Sequence, residues 1–291
     1  MNSEEYFNVI SHVKTFPTIP AVYHTLNAML DDPETDIEKI SSVIMLDPVL
    51  TSKLIKIANS SFFGFREKVT SIQKAVSLLG LNLVKNLVLS TSILSSFTGT
   101  KKNVDRTQLW RHSIGVAVAS KFIGKDYSLS IAQSEELYTI GLLHDIGKIV
   151  TEQYFPKQYD EIINLLESNP SLFFWQAEQK VIGLTHAETG SLVVRNWNFE
   201  HKIVSVIQYH HAIDAGFEFI TERERLFLSI IHLADYLIKR LNYGNNNKLS
   251  IEPLNLKVIG FLELKSTRIE NYYIALQNII NNIDDFLLSH F

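Results

Sequence analysis

Apolar positions recur at three- and four-residue intervals along nearly the whole chain, while the strict alternation that marks strands is scarce. The pattern predicts an all-α protein. Pro17-Thr18-Ile19-Pro20 reads as an extended connection between an N-terminal helix ending near Thr15 and a helix over about Ala21 to Leu30, because a residue before proline is pushed out of helical geometry. Asp31-Asp32-Pro33 stops that helix. Asp36 is placed to cap the next one through its side-chain oxygen, with Ile37, Ile40, Val43 and Ile44 as its buried stripe. Asp47-Pro48 repeats the start signal, since proline loses no hydrogen bond at the first helical position, and Leu50, Leu54, Ile57 and Ala58 line one face as far as Asn59-Ser60-Ser61. Thr70-Ser71 caps a helix carrying Ile72, Ala75, Val76 and Leu79. Gly80 supplies its left-handed closure before a longer helix from Leu81 to about Phe97.

Thr98-Gly99-Thr100-Lys101-Lys102-Asn103 is polar and rich in turn formers, which places a boundary between two packed helical lobes. The expected division is 1–100, 101–245 and a C-terminal helical extension over 246–291. The second lobe opens with Trp110-Arg111-His112-Ser113 on a helix whose Ile114, Val116, Val118 and Phe122 are apolar on more than one side. After a loop near Tyr127 to Ser130, Ser134 with Glu135-Glu136 marks the start of a helix that carries His144 and Asp145, and Pro156 ends its extension. Helices follow over about Lys157 to Ser168, Leu172 to Val181, from His186 onward, and Glu200 to His211. Asp214-Ala215-Gly216 reads as a loop, Glu222 to Leu241 as a helix with His232 and Asp235, Asn242 to Asn247 as a loop, and Ser266 to Leu288 as the last helix.

The chemistry concentrates in Gly141-Leu142-Leu143-His144-Asp145-Ile146-Gly147-Lys148, inside an apolar run from Leu137 to Val150. An adjacent imidazole and carboxylate are costly to bury there unless a metal, a partner charge, a phosphate or neighbouring backbone compensates them. Consecutive helical residues point about 100° apart, so an ion lying between the two directions is within reach of both side chains. With 291 residues and 46% hydrophobic content the chain can bury a substantial core, and no run approaches a bilayer span of about 20 apolar residues. The start of the chain shows no signal peptide, so a soluble, cytoplasmic protein without membrane attachment is expected. The absence of cysteine excludes disulfides and thiolate ligands, which leaves His, carboxylate and water to hold any ion. A net charge of −4 with interspersed signs gives no footprint for nucleic acid.

Phe16-Pro17-Thr18-Ile19-Pro20, Asp47-Pro48-Val49-Leu50, Ile57-Ala58-Asn59-Ser60, Ser71-Ile72-Gln73-Lys74-Ala75-Val76, Leu78-Leu79-Gly80-Leu81 and the His-Asp stretch follow one another in an order that resembles the HDOD signalling domains. Those domains are related to the HD phosphohydrolase superfamily, and the resemblance covers roughly residues 12 to 240. It implies that His112, His144, Asp145 and Asp235 ligate a divalent metal. His186, His210 and His211 fall where two-metal members similar to the HD-GYP phosphodiesterases place further ligands. Imidazoles and carboxylates suit Fe, Mn, Ni or Zn, and Asp145 and Lys148 are then the residues expected to act on a phosphoester. The glycine-rich motif ending in Gly-Tyr-Pro that follows the His-His pair in HD-GYP enzymes is replaced here by Ala212-Ile213-Asp214-Ala215-Gly216-Phe217.

Two functions are weighed, the first as the leading expectation and the second as its alternative. One is a bacterial signal-transduction module that binds a protein partner, its pocket either loaded with a divalent metal or an inherited relic. The other is a metal-dependent phosphohydrolase with a nucleotide or cyclic nucleotide as ligand. His12, His24, His201 and His290 are read as structural, and His232, one turn before Asp235, as core or as support for a ligand.

Overall fold

The computed structural model describes residues 6, 21–30, 32, 35–59, 65, 67–96, 106–244 and 250–288. The expected helix to Thr15, the Phe16 to Pro20 connection, the Thr98 to Asn103 break, His12, His290 and Asn245 to Asn247 lie outside them. By its internal contacts the chain groups into two compact units, one of Pro17–Thr98 with Asn278–Phe291 and one of Met1–Phe16 with Gly99–Gln277. Among the described residues all regular structure is helical.

The smaller unit holds α1 (Ala21–Leu30), α2 (Ile37–Met45), α3 (Pro48–Ala58), α4 (Ile72–Leu79) and α5 (Leu81–Ser96). The caps are those the sequence marks. Asp36 accepts from the Lys39 N–H at 2.8 Å, Asp47 from the Val49 and Leu50 N–H groups at 2.9 and 3.0 Å, and Ser71 from the Lys74 N–H at 3.2 Å. Gly80 has φ of +80°, a conformation that side chains disfavour. Leu50, Leu54, Ile57, Ile72 and Val76 are buried, and Leu79 packs against Ala58, Val69 and Ala75. Ile37 departs from its expected place and is 42% exposed. Helical side chains lean over the preceding turn, and a first-position residue has no such turn beneath it.

The larger unit comprises α6 (Arg106–Gly124), α7 (Ile131–Leu143), α8 (Ile146–Tyr154), α9 (Pro156–Ser168), α10 (Phe174–Val181), α11 (His186–Asn196), α12 (His201–Tyr209), α13 (Ile213–Phe219), α14 (Glu222–Arg240) and α15 (Leu256–Phe261). The last helix, α16, runs over Ser266–Leu288. Packing centres on α6, which lies against α7 and α14, while α11 lies against α8 and α12. Two glycines set the approach of these helices. A Cβ on Gly141 would stand 2.7 Å from the Ala117 Cα, and one on Gly147 would stand 2.1 Å from the His186 carbonyl oxygen. No other residue fits at either crossing without moving a backbone.

Three expectations need correction. Helix α7 begins at Ile131, because Ser130 and Gln133 form a reciprocal capping box that precedes the Ser134 signal. The helix breaks at His144-Asp145 instead of running through it, so the pair occupies the turn between α7 and α8. Asp214 to Gly216 belongs to helix α13, where Gly216 packs tightly against Tyr209 and Leu228.

Candidate metal centre

The break at His144-Asp145 positions the pair. Both residues are held almost without solvent contact at the α7–α8 corner, and the His144 Nδ1 bonds the Gly141 carbonyl at 2.8 Å, which leaves Nε2 pointing inward. His112 enters from α6, held where Gly244 in the turn after α14 presses on its backbone; a Cβ there would come within 2.2 Å of the His112 nitrogen. His186 enters from the start of α11, where Thr185 and Glu188 form a capping box, and His210 and His211 follow the last turn of α12. Asp235 comes from α14, a helix made by the Thr221 and Glu224 capping box and an almost continuous buried stripe.

All seven expected ligands meet, as two groups: His112, His144 and Asp235, and Asp145, His186, His210 and His211, with the candidate atoms of each group within 4.8 Å of one another. Asp145 joins the two. Its Oδ2 lies 3.6 Å from His112 Nε2 and 3.5 Å from His144 Nε2, while its Oδ1 lies 3.1 Å from His186 Nε2 and 3.9 Å from His210 Nε2. Asp235 Oδ1 lies 3.0 Å from His112 Nε2 and 3.9 Å from His144 Nε2. The Nε2 atoms of His112, His144, His186 and His210 and the Oδ1 atoms of Asp145 and Asp235 are buried, and apart from one another, as in the His112–Asp235 and His186–Asp145 approaches, they have no hydrogen-bond partner. Buried polar atoms are almost always paired, so inward-facing orphans that are all of metal-ligating types fit a pair of divalent ions.

The surroundings set the charge states. Burial pushes the His144 imidazole down to about 4, and holds His210 and His211 well below the usual imidazole range. Burial also works against a charged His186, but the Glu178 carboxylate at its Nδ1, 2.5 Å away, outweighs this and raises it. For Asp145 and Asp235, burial opposes ionisation, and the neighbouring His144 and Lys148, or Lys239 and His112, overcome it, holding both carboxylates ionised well below the normal range. Lys148 Nζ sits 2.7 Å from Asp145 Oδ2, and Lys239 Nζ sits 2.6 Å from Asp235 Oδ2.

Several supporting residues escaped the sequence reading. Lys239 stands one helical turn beyond Asp235, a spacing visible in the sequence. Glu178 and Glu252, which bond the Nδ1 atoms of His186 and His211, carry no local signal. His232 is buried and bonds the His210 carbonyl, so it is at once core and support. His24 and His201 are exposed and apart from the cluster.

Among the described residues, a helical fold thus brings a His-Asp pair at a helix junction together with further His and Asp residues from four other elements. The chain belongs to the HDOD domain family, whose sequence pattern matches residues 16–213. A protein of Treponema pallidum (strain Nichols) with no assigned character is 23% identical over 263 residues, which cover 89% of this chain and 48% of that protein. The chain thus spans about half the length of the curated relative it matches. Among solved structures, an HDOD domain protein of unknown function from Geobacter sulfurreducens has a TM-score of 0.72 at 23% identity, covering 98% of this chain and 93% of that one. A candidate phosphohydrolase from Shewanella amazonensis SB2B has a TM-score of 0.74 at 17% identity, covering 99% of each chain. A candidate signal transduction protein from Marinobacter aquaeolei VT8 reaches 0.75 at 19% identity, covering 99% of this chain and 65% of that one. At these identities the likeness is one of fold. Among the described residues no single helix is long and apolar enough to cross a membrane.

Proposed function

We propose that the cluster is a two-ion metal centre and that its chemistry is phosphoester hydrolysis, with nucleotides or cyclic nucleotides as the substrate class. The observation that carries this reading is the set of six buried ligand atoms that face one another around Asp145 and have no partner outside the set. The donor set of imidazoles and carboxylates suits Fe, Mn, Ni or Zn. Ions held there supply Lewis acidity and an activated water. Asp145 offers one oxygen to each group and so ties the two positions together. Lys148 and Lys239 bring positive charge to a small recess that Phe173, Phe174 and Trp175 also line. Anionic phosphate oxygens are drawn to the ammonium groups, and an aromatic wall favours a stacked base.

A second reading has its own observation. The residues after His211 lack the Gly-Tyr-Pro motif of the HD-GYP enzymes and form helix α13. That favours a signalling module that binds a protein partner and uses the metal for structure, a role in keeping with the candidate signal transduction protein of the same fold. The deciding experiment is metal analysis of protein purified without chelator, joined to a phosphoester screen with added Mn and Fe. Turnover that His144→Ala abolishes supports hydrolysis. Bound metal without turnover favours the module, and protein that neither carries nor takes up metal sinks the two-ion centre.

A further inference from the structure

The histidines of the cluster are supported in two different ways. His144 and His210 direct Nδ1 at carbonyls three residues back in their own elements, Gly141 at 2.8 Å and Ile207 at 2.7 Å. His186 and His211 instead bond carboxylates, and Glu178, the partner of His186, is buried on α10. Glu252, the partner of His211 at 2.7 Å, is 41 residues distant in sequence and rides on the irregular stretch 250–255, outside the residues the family pattern matches.

That stretch is fastened beside both members of the His-His pair. The Ser250 hydroxyl donates to the Pro170 carbonyl, and the Asn255 N–H donates to His232 Nε2 at 3.2 Å. His232 Nδ1–H in turn donates to the His210 carbonyl at 3.4 Å. His210 and His211 stand beyond the last residue of α12, Tyr209, where a helix no longer supplies partners for its own carbonyls. His210 uses one of those free carbonyls, that of Ile207, whereas His211 Nδ1 bonds the Glu252 carboxylate, so its ring is oriented from outside the helix.

We propose that Glu252 is the positioning residue of the second metal position. Its carboxylate keeps the proton on Nδ1 of His211 and presents the Nε2 lone pair to the ion, so loading of the position formed by Asp145, His186, His210 and His211 depends on residues 250–255. The position formed by His112, His144 and Asp235 does not. The inference rests on the two-ion reading above and names what controls one half of it.

The test is Mn(II) titration of the full chain, with bound metal counted after equilibrium dialysis, for wild type, Glu252→Ala and Glu252→Gln. Wild type takes up two ions, and Glu252→Ala retains the first at unchanged affinity while binding the second about 10- to 100-fold more weakly. Glu252→Gln falls between them, since its amide oxygen still accepts from Nδ1–H without the charge. Electron paramagnetic resonance adds a readout that a merely structural role would not move: a spin-coupled pair in wild type, a single-ion signal in Glu252→Ala at the same metal level. Two ions of wild-type affinity in both variants overturns the inference and leaves the two-ion reading standing. Loss of both ions together in both variants also overturns it, because the residue then serves the fold at large. Fewer than two ions in wild type overturns the reading and the inference with it.

Discussion

Asp145 shows how one carboxylate is asked to do several things. Its Oδ2 pairs with the buried Lys148 ammonium while Oδ1 faces imidazole nitrogens. Asp145→Asn therefore strands a buried lysine as well as weakening the metal site, and breaking such a pair costs about 3–5 kcal/mol. We expect that loss in chelator, measured by denaturant midpoint, and expect Lys148→Met added to Asp145→Asn to recover most of it. With metal present, wild type gains stability that neither variant shows; equal gains in all three would count against Asp145 as a shared ligand. The imidazoles give a pH dependence of definite sign. His144 is held down at about 4 from an ordinary 6.5, so the unfolded chain binds more protons than the folded one between those values, and stability is lost as pH falls through that window. The shift corresponds to about 3 kcal/mol for this one group. His210 and His211 act in the same direction, and His186, which is raised, acts in the opposite one, its contribution fading as pH rises. Melting temperatures in chelator should decline from pH 6.5 to 4, and a flat profile would refute the assignment of neutral buried rings.

Between residues and the whole chain stand the helix crossings that aim the ligands. Gly147 is the most constrained, since an added Cβ would overlap the His186 carbonyl and force α8 from α11. Gly147→Ala should destabilise by about 1–3 kcal/mol and reduce metal uptake as well, because His186 starts the helix that is displaced. Unaltered metal binding by a folded Gly147→Ala protein would show that this crossing does not aim His186. In the smaller unit Leu54 on α3 is 1% exposed, and Leu54→Ala should cost about 2–5 kcal/mol, read from the denaturation midpoint of that unit. The capping residues of α2, α3 and α4 were legible because a cap involves neighbours two or three residues away. The break at His144-Asp145 was not, since its apolar surroundings read as uninterrupted helix and only the packing of α7 and α8 against other helices fixes the corner.

For the whole molecule, the ligands come from five separated places in the chain: α6, the α7–α8 corner, α11, the end of α12 and α14. An ion binding them selects the folded arrangement, and at about a hundred times its dissociation constant it stabilises by roughly 2.7 kcal/mol. Chelation should lower the melting temperature of metal-loaded protein, and adding Mn or Fe back should restore it. Identical transitions in chelator and in metal would speak against a centre that spans these elements.

Most of the helices, the caps of α2, α3 and α4 and the seven candidate ligands were legible in the sequence alone. Helical periodicity and capping are local, and the order of His and Asp residues carries the family pattern along the chain. Tertiary structure alone decided that Asp145 stands between two groups of donors, that Lys148 and Lys239 neutralise the carboxylates, and that Glu178 and Glu252 orient two of the imidazoles. A hydrogen bond between Glu252 and His211 joins segments 41 residues apart, and nothing in the residues near either one marks the other as its partner. Such pairings arise only when the helices pack, because packing and not local propensity brings the two segments to one place.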